Sequence, residues 1–393
     1  MLKYDKWLLL IVVLLVGFGA LMIYSSTSVV TSALAKRGVT EFYYFKRHVF
    51  TILIGFTFMF VSYKLNLSFI KKISVPLLIV AFLLLVLVFV PHVGVAAGGA
   101  RRWIRLWPST FQPSELVKLA MVIFLARYMS MPEYKPDNVV SFLKPLGIMV
   151  LFQAAFLKQP DFGAAMSLTC LTLAMLFLSG VKLRYIASLL LLAVPVVIRL
   201  ATEPYRLRRI TSFLNPWDDP LGSGFQLVQS FIALGSGGLT GVGLGSSKQK
   251  LAYLPESHTD FIFSIIGEEF GLIGVTLIIA LFLVLFIKGV SIANRTKDRF
   301  VYYLAIGLSL MISLQALVNF AVATGLVPTK GLPLPFISYG GSSLLVNMAA
   351  IGILLNISRG EETSPAFNNR EVLARRKARR NVYRRYNAAP GSY

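Results

Sequence analysis

The chain has 393 residues, of which 56% are hydrophobic and 14% are charged. Ordinary soluble domains carry about 25% charged residues, so this composition excludes a water-soluble enzyme. The 39 Lys and Arg residues against 17 Asp and Glu residues give a net charge of +22. Because these bases lie between apolar runs or in the C-terminal segment, a membrane surface explains the charge better than nucleic acid does, and we expect no nucleic-acid partner.

Ten apolar runs are the main feature of the sequence. A helix needs about 20 apolar residues to cross the hydrocarbon core, and these runs are too long and unbroken for barrel strands. The first run is about 23 residues long and no small-residue cleavage site follows it, which favours a retained span over a signal peptide. The predicted fold is an all-α integral membrane protein with ten transmembrane helices, near residues 7–29, 48–66, 72–91, 114–131, 142–158, 163–180, 184–200, 260–288, 300–325 and 342–358.

The distribution of Lys and Arg predicts the orientation of these spans. With the N-terminus inside, 23 of the 39 basic residues fall on the inner side, and residues 359–393 supply nine of them. Without that tail the inner loops carry fewer bases than the outer loops, so the tail largely decides the assignment. We therefore expect cytoplasmic N- and C-termini, one membrane domain over residues 1–358, and a basic cytoplasmic tail over residues 359–393 that is disordered or bound to anionic lipid.

One long outer segment, residues 201–259, separates the seventh and eighth predicted spans. Its apolar stretch Phe225–Leu234 predicts a helix at the membrane surface. The glycine-dense stretch Gly235–Gly245 either lets the backbone approach a phosphate or forms a flexible turn. It lacks the strand and the Lys-Ser/Thr ending of a nucleotide P-loop, which argues against ATP binding.

The outer loops are unusually basic. Each basic residue alone is most simply explained as a solvated loop charge. The set as a whole indicates a basic field, a region of positive electrostatic potential on the outer face that would attract an anionic ligand. Its members are Arg101, Arg102, Arg105, Arg206, Arg208, Arg209, Lys248, Lys250 and Lys330.

Few carboxylates are available on the outer side, and Asp260 has the most suggestive position. It lies where the long outer segment meets the eighth span, so it is half-desolvated and close to a helix N-terminus. This position suits a general base or a metal ligand, and the alternative is that Asp260 simply caps the helix. Glu268 and Glu269 lie about 12–13 Å deeper, where they either line a polar path or pair with a buried base, and we expect the structural pairing.

Two further groups stand near the outer ends of spans. Glu115 and Lys118, spaced i, i+3, can pair on one helix face, and the pair can also position a substrate or hold a cavity's shape. The proline-rich loop Pro328–Phe336, which contains Lys330, cannot be a continuous helix. Ser342 and Ser343 follow it at the start of the last span, where glycines and a helix N-terminus can bind an anion. The alternative is a re-entrant turn.

These features alone do not separate a transporter from a membrane enzyme. Several ordered stretches, however, resemble the SEDS family (shape, elongation, division and sporulation), and they extend over the chain to about residue 358. The resemblance is to division-type members more than to elongation-type members, because the loop reads Pro-Thr-Lys-Gly-Leu. The matching stretches are Gly98–Ile104, Gln112–Lys118, Lys158–Gly163, Leu254–Phe263, Gly267–Glu269 and Pro328–Ser343.

This resemblance implies a peptidoglycan glycosyltransferase. The substrate would be lipid II, joined into β-1,4 glycan strands at the outer face of the cytoplasmic membrane, with undecaprenyl diphosphate as the leaving group. The family's essential aspartate matches Asp260, and its Glu–Lys pair matches Glu115 and Lys118. The resemblance further implies a multi-pass protein at the division septum, a class B penicillin-binding protein (a transpeptidase) as partner, and other divisome membrane proteins.

The implied chemistry agrees with the charges already described. An inverting displacement needs a base, for which Asp260 is best placed. The departing diphosphate needs positive charge, which Arg101, Arg102 and Lys330 can supply. No cofactor is required by the sequence. A Mg²⁺ or Mn²⁺ ion bridging Asp260 and the diphosphate is an open alternative, although there is no dedicated metal cage.

Two other functions remain open from the sequence. One is a lipid II flippase or another transporter, although we see no internal repeat and the candidate residues lie toward the outer face instead of the midplane. The other is a scaffold that recruits a wall-building partner, which would not need an ionised Asp260.

Overall fold

The computed structural model describes residues 4–34, 42–97, 100–106, 109–202, 211–251, 254–255, 257–329 and 331–360. A helix lies over each of the ten predicted runs. Their bounds are α1 Lys6–Leu34, α2 Tyr43–Lys64, α3 Leu67–Leu87, α4 Pro113–Met129, α5 Val139–Lys158, α6 Phe162–Leu178, α7 Leu183–Ala201, α9 Ile262–Arg295, α10 Arg299–Ala323 and α11 Gly341–Arg359, and a further helix, α8, covers Phe225–Ser236.

Seven of these helices are long and apolar enough to cross a membrane: α1, α2, α3, α5, α9, α10 and α11. The protein is therefore a mostly helical membrane protein. Helices α4 and α6 are 17 residues long, and the apolar part of α7 is short, Leu183–Pro195. The number of ten spans stays a prediction.

A small sheet departs from the all-α prediction. Strands β1 (Gly94–Ala97), β2 (Ala100–Leu106) and β3 (Ser109–Phe111) form an antiparallel sheet in the order β1-β2-β3 between α3 and α4. The strands are short, and β2 mixes arginines with apolar residues, so no clear alternation marks them in the sequence. The sheet lies beside the candidate site described below.

Polar side chains begin several of the helices. The side chain of Asn66 accepts a hydrogen bond from Ser68 N (2.9 Å) at the start of α3, and that of Asn138 accepts one from Val140 N (2.9 Å) at the start of α5. Asp298 accepts one from Phe300 N (2.7 Å) at the start of α10. These contacts satisfy N–H groups that have no partner inside the helix.

The start of α1 and the ends of α9 and α11 meet at one end of the helix bundle. Asp5 N donates to Ser358 Oγ (3.1 Å), and the Asp5 carboxylate lies 3.6 Å from Lys288 Nζ. We call this the terminal end. Because α9 and α11 each run the length of the bundle, Asp260 and Ser342, which precede or begin these helices, lie at the opposite end.

The helices pack around α4, α10 and α11, while others present apolar side chains outward. Helix α11 packs against α2, and α10 packs against α4 and α9. Leu53 and Phe60 of α2 and Leu191 and Leu192 of α7 are 60–74% exposed. Such a large exposed apolar surface would not persist in water, and it fits contact with lipid.

The predicted helix within the long outer segment is present. Helix α8 (Phe225–Ser236) buries Leu227, Val228 and Ala233 and packs against α9. A single 3-10 turn, Pro216–Asp218, precedes it. The segment is therefore partly folded onto the helix bundle.

The glycine-dense stretch packs its backbone directly onto a break in α9. Gly271 interrupts that helix with φ 62° and ψ −162°. Val242 N donates to Glu268 O (3.0 Å), and Leu272 N donates to Gly238 O (2.9 Å). A β-carbon at Gly237 would lie 1.9 Å from Gly267 O, so only glycine permits this approach. This packed role differs from both sequence alternatives, a phosphate-binding backbone and a flexible turn.

Glu269 makes the expected pair with a buried base in the same region, whereas the Glu268 carboxylate is held by a hydroxyl and main-chain N–H groups. Ser247 Oγ and Lys248 N donate to the Glu268 carboxylate. Lys250 Nζ lies 3.1 Å from Glu269 Oε1, and both residues are buried. Lys250 is therefore committed to this pair and cannot belong to the basic field predicted for the outer face. Arg206, Arg208 and Arg209 of that field lie outside the described residues.

Candidate active site

A cavity of about 170 Å³ lies at the end of the bundle opposite the terminal end. It brings together four of the predicted site residues from three separate parts of the chain: Arg102 of β2, Asp260 before α9, and Ser342 and Ser343 of α11. Its full lining is Arg102, Trp103, Gln112, Thr259, Asp260, Gly331, Pro333, Tyr339, Gly340, Ser342 and Ser343.

Asp260 is half-buried on the cavity wall and lies two residues before the start of α9. The N-cap position of α9 belongs to Phe261, which provides no side-chain hydrogen bond. Asn319 Nδ2 donates to the main-chain oxygens of Asp260 (2.9 Å) and Leu332 (2.8 Å). This amide therefore links the backbone at Asp260 to the loop before α11. It fixes the backbone position from which the Asp260 side chain extends.

The two adjacent arginines of β2 have different positions. Arg102 lines the cavity, and its Nη2 donates to Pro160 O (2.6 Å), while its Nε has no hydrogen-bond partner among the described residues. Arg101 is exposed and does not line the cavity. Only Arg102 of this pair is placed to contact a ligand in the cavity. Lys330 lies outside the described residues.

Ser342 and Ser343 form part of the cavity wall at the first turn of α11. Ser342 Oγ accepts a hydrogen bond from Gln112 N (2.9 Å). Ser343 Oγ accepts hydrogen bonds from Gln315 Nε2 (2.9 Å) and Asn347 Nδ2 (3.1 Å). Since each hydroxyl oxygen acts as an acceptor here, its proton remains available to donate to an anion in the cavity.

Glu115 and Lys118 form the predicted ion pair, with 2.9 Å between Lys118 Nζ and Glu115 Oε1. Both side chains are buried and neither lines the cavity. Lys118 Nζ also donates to Gln315 Oε1 (2.6 Å), and Gln315 Nε2 donates to Pro333 O (2.8 Å) and to Ser343 Oγ. The pair thus lies behind the cavity and reaches its wall through Gln315.

Several residues that line the cavity or support its wall carried too little signal to be selected from the sequence. Gln315 and Asn319 are spaced i, i+4 on the apolar helix α10. Two amides on one face of an otherwise apolar helix were the one sequence feature that could have marked them as part of a polar site. Trp103, Gln112 and Tyr339 were not selected either.

Burial raises the pKa of the Tyr339 hydroxyl, and the Arg47 guanidinium partly offsets this, so the hydroxyl stays neutral at physiological pH.

The cavity offers little for a metal ion. Asp260 is the one carboxylate among its lining residues. No group of three His, Cys, Asp or Glu side chains that could hold a metal occurs within the described ranges. Mg²⁺ often binds through one or two carboxylates plus substrate phosphates. Asp260 therefore fits as a single protein ligand of a metal that a diphosphate largely holds, and a protein cage is not formed by these residues.

An apolar groove of about 550 Å³ begins near the cavity and runs between α8, α9 and α10. Phe263, which lines it, lies three residues after Asp260 in the chain. The groove is lined by Leu234, Gly238, Phe263, Gly267, Gly271, Leu272, Val275, Ile279, Leu317, Phe320, Ala321, Thr324 and Leu326.

Comparisons with known proteins agree over nearly the whole chain. A relative from Geobacter sp. (strain M18), named "Probable peptidoglycan glycosyltransferase FtsW", is 46% identical over 357 residues, which cover 90% of this chain and 96% of the relative. The "Stage V sporulation protein E" of Bacillus subtilis (strain 168) is 41% identical, covering 90% and 97%. A solved structure described as "Structural coordination of polymerization and crosslinking by a peptidoglycan synthase complex" has a TM-score of 0.75 at 27% identity, covering 93% and 100%.

The family described as "Cell cycle protein" and labelled FTSW_RODA_SPOVE matches residues 6–363. This range includes every helix, the sheet and all the cavity-lining residues described above. The resemblance drawn from the sequence stretches is confirmed, and the chain belongs to the FtsW/RodA/SpoVE family of cell cycle proteins.

Proposed function

We propose that this chain is a peptidoglycan glycosyltransferase of cell division that polymerises lipid II at the outer face of the cytoplasmic membrane. Its family and the names of its relatives support the activity and the division role. The observation that carries the proposed site is the cavity that joins the Asp260 carboxylate to Arg102, Ser342 and Ser343. In this proposal the terminal end faces the cytoplasm, all ten apolar helices cross the membrane, and the protein acts at the septum.

The reaction is a single inverting displacement. The acceptor hydroxyl oxygen forms a bond to the donor's anomeric carbon while the bond from that carbon to the diphosphate oxygen breaks. Asp260 accepts the hydroxyl proton, and undecaprenyl diphosphate leaves with the bonding electrons. Asn319 fixes the backbone of Asp260 beside the neighbouring loop, so the carboxylate extends from a defined position on the cavity wall, which suits a general-base role.

Positive charge and hydroxyl donors on the cavity wall would stabilise the leaving diphosphate. Arg102 keeps Nε–H unpaired in the described part of the chain, while Pro160 fixes its other end. Ser342 and Ser343 add O–H donors at the start of α11, where the helix dipole favours an anion. Lys330, next to the cavity residue Gly331, is the proposed second cation. If Mg²⁺ or Mn²⁺ is bound, it would add charge neutralisation at the same place.

The apolar groove between α8, α9 and α10 is the proposed place for a polyprenyl chain. Its lining is almost entirely apolar, and it begins one helical turn from Asp260. A lipid-linked donor could therefore keep its chain in this groove while its diphosphate enters the cavity. A class B penicillin-binding protein is the proposed partner, together with other divisome membrane proteins.

The decisive experiment measures polymerisation of labelled lipid II by the purified protein with its cognate transpeptidase. Asp260→Asn and Asp260→Ala should abolish glycan-strand formation, while Asp218→Asn, an exposed carboxylate on the same side of the bundle, should not. Normal polymerisation by both Asp260 variants would refute the base role. Transport of lipid II across vesicles without polymerisation by the wild type would favour a flippase instead.

A further inference from the structure

A second polar pocket, of about 370 Å³, lies at the terminal end, opposite Asp260. It sits where α3 begins, α4 ends and α9 turns into α10. The lining residues are Leu67, Ser68, Lys71, Lys72, Arg127, Asp298, Phe300 and Val301. The proposed polymerisation reaction uses none of them.

The pocket carries uncompensated positive charge. No carboxylate lies within 4.0 Å of the Lys71, Lys72 or Arg127 cationic groups in the described part of the chain. Asp298, the one carboxylate in the lining, accepts hydrogen bonds from the Phe300 and Val301 N–H groups and is committed to starting α10. Three cations from two helices and one carboxylate therefore line the pocket, which leaves it with a net positive charge.

Two of these cations are held in place by neighbours. Arg127 Nη1 donates to Ser74 Oγ (3.0 Å), across the contact between α4 and α3. Lys71 Nζ lies 5.5 Å from the centre of the Phe300 ring, in a cation–π contact. These contacts reduce the conformational freedom that an anion would otherwise have to remove on binding.

The pocket also adjoins a surface that faces lipid. Phe69 and Val75 lie three residues before and after Lys72 on α3, on the same helix face, and they are 49% and 38% exposed. Leu67 and Val301 give the pocket an apolar edge. A ligand with a phosphate and attached acyl chains could satisfy both the cations and this edge, whereas free phosphate would satisfy only the cations.

We propose that this pocket binds the phosphate group of an anionic membrane lipid from the leaflet at the terminal end. Basic pockets between membrane helices are suited to such head groups, since each nearby Lys or Arg adds attraction to an anionic lipid. An anionic lipid and free phosphate would both present a phosphate anion to the three cations. Only the lipid would also place acyl chains against the apolar edge of the pocket.

The test is native mass spectrometry of the purified full-length protein in detergent, titrated with phosphatidylglycerol or phosphatidylcholine. Wild type should retain phosphatidylglycerol selectively. In the variant Lys71→Gln/Lys72→Gln/Arg127→Gln, the apparent affinity for phosphatidylglycerol should fall by about tenfold or more. The matched control is Lys64→Gln/Lys135→Gln/Lys144→Gln, which removes three charges from the same end of the bundle and should leave retention unchanged.

The single variant Lys72→Gln, at an exposed position, gives a second measurement if the triple variant does not fold. Unchanged phosphatidylglycerol retention in these variants, or equal retention of phosphatidylcholine by wild type, would overturn the proposal. Binding of inorganic phosphate by wild type, lost in the triple variant and not accompanied by selective retention of phosphatidylglycerol, would assign the pocket to free phosphate and would overturn the lipid site.

Discussion

Asp260 leaves no room for a side chain at Gly331 on the cavity wall: a β-carbon at position 331 would lie 2.7 Å from Asp260 Oδ2. The position of the carboxylate therefore depends on a glycine in the loop before α11. That loop is held in turn by Asn319 and Gln315, which donate to the oxygens of Leu332 and Pro333. The Asp260 carboxylate and the loop beside it are therefore positioned together.

Gly331→Ala should reduce polymerisation by about tenfold or more while changing thermal stability little. The added methyl group meets the tip of a side chain, which can turn away at low energetic cost, but a catalytic group displaced by about 1 Å can lose up to about 100-fold in rate. Lipid II polymerisation and thermal unfolding, measured on the same preparation, separate the two effects.

Gly147→Ala is the matched control for this substitution, because a β-carbon at Gly147 would have no neighbour within 4 Å. It should leave both activity and stability near wild type. Full activity of Gly331→Ala would show that the carboxylate does not need its present position.

The Glu115–Lys118 pair predicts a strong thermodynamic coupling. Both side chains are 3% exposed, so Glu115→Gln or Lys118→Met alone leaves a buried charge without its partner and should destabilise the fold by about 3–5 kcal/mol. The double variant should recover much of that loss, because no unpaired charge remains. Denaturation of all four proteins in one detergent gives the double-mutant cycle.

Equal and additive losses in that cycle would contradict the ion pair. A second readout tests its link to the cavity. Since Lys118 reaches Ser343 through Gln315, the double variant should regain stability yet remain below wild type in polymerisation.

Gln315→Leu and Asn319→Leu should each lower polymerisation by at least about tenfold. Each amide bridges the loop before α11 to another part of the site, and its loss leaves buried carbonyl groups without donors, at a cost of about 1–3 kcal/mol in stability. Gln153→Leu removes a comparable amide of α5, which has two acceptors, Ala165 O and Thr169 Oγ1, and which does not line the cavity.

The Gln153 variant should therefore lose stability and retain activity in proportion to folded protein. If the α10 variants did the same, the amides would be purely structural. Activity per folded molecule, with folding measured by size-exclusion chromatography and thermal unfolding, decides between these outcomes.

Run length and hydropathy were sufficient to predict where the helices lie, because a span must bury about 20 apolar residues whatever its neighbours are. The i, i+3 spacing likewise predicted the Glu115–Lys118 pair. Contacts between residues that are far apart in the sequence could not be predicted in the same way. Arg101 and Arg102 are adjacent and chemically alike in the sequence, and only the folded structure distinguishes Arg102, which lines the cavity, from Arg101, which does not. The roles of Gln315 and Asn319 depend on hydrogen bonds to a loop that follows them in the chain, and helix spacing does not predict such bonds.

The final prediction concerns the glycine-dense stretch and the break in α9. Gly241 has φ +84°, and a β-carbon there would lie 2.1 Å from Glu269 O, a backbone atom that cannot turn aside. Gly241→Ala should therefore destabilise the protein by at least about 1–3 kcal/mol. Gly235→Ala, inside α8 with no neighbour within 4 Å, should instead be neutral or stabilising by up to about 1 kcal/mol, because alanine favours a helix. Thermal unfolding of both variants in the same detergent measures the difference. Equal stability would mean that the stretch can leave α9 without cost, and that the backbone hydrogen bonds to Glu268 and Glu269 do not hold the start of α9 in place.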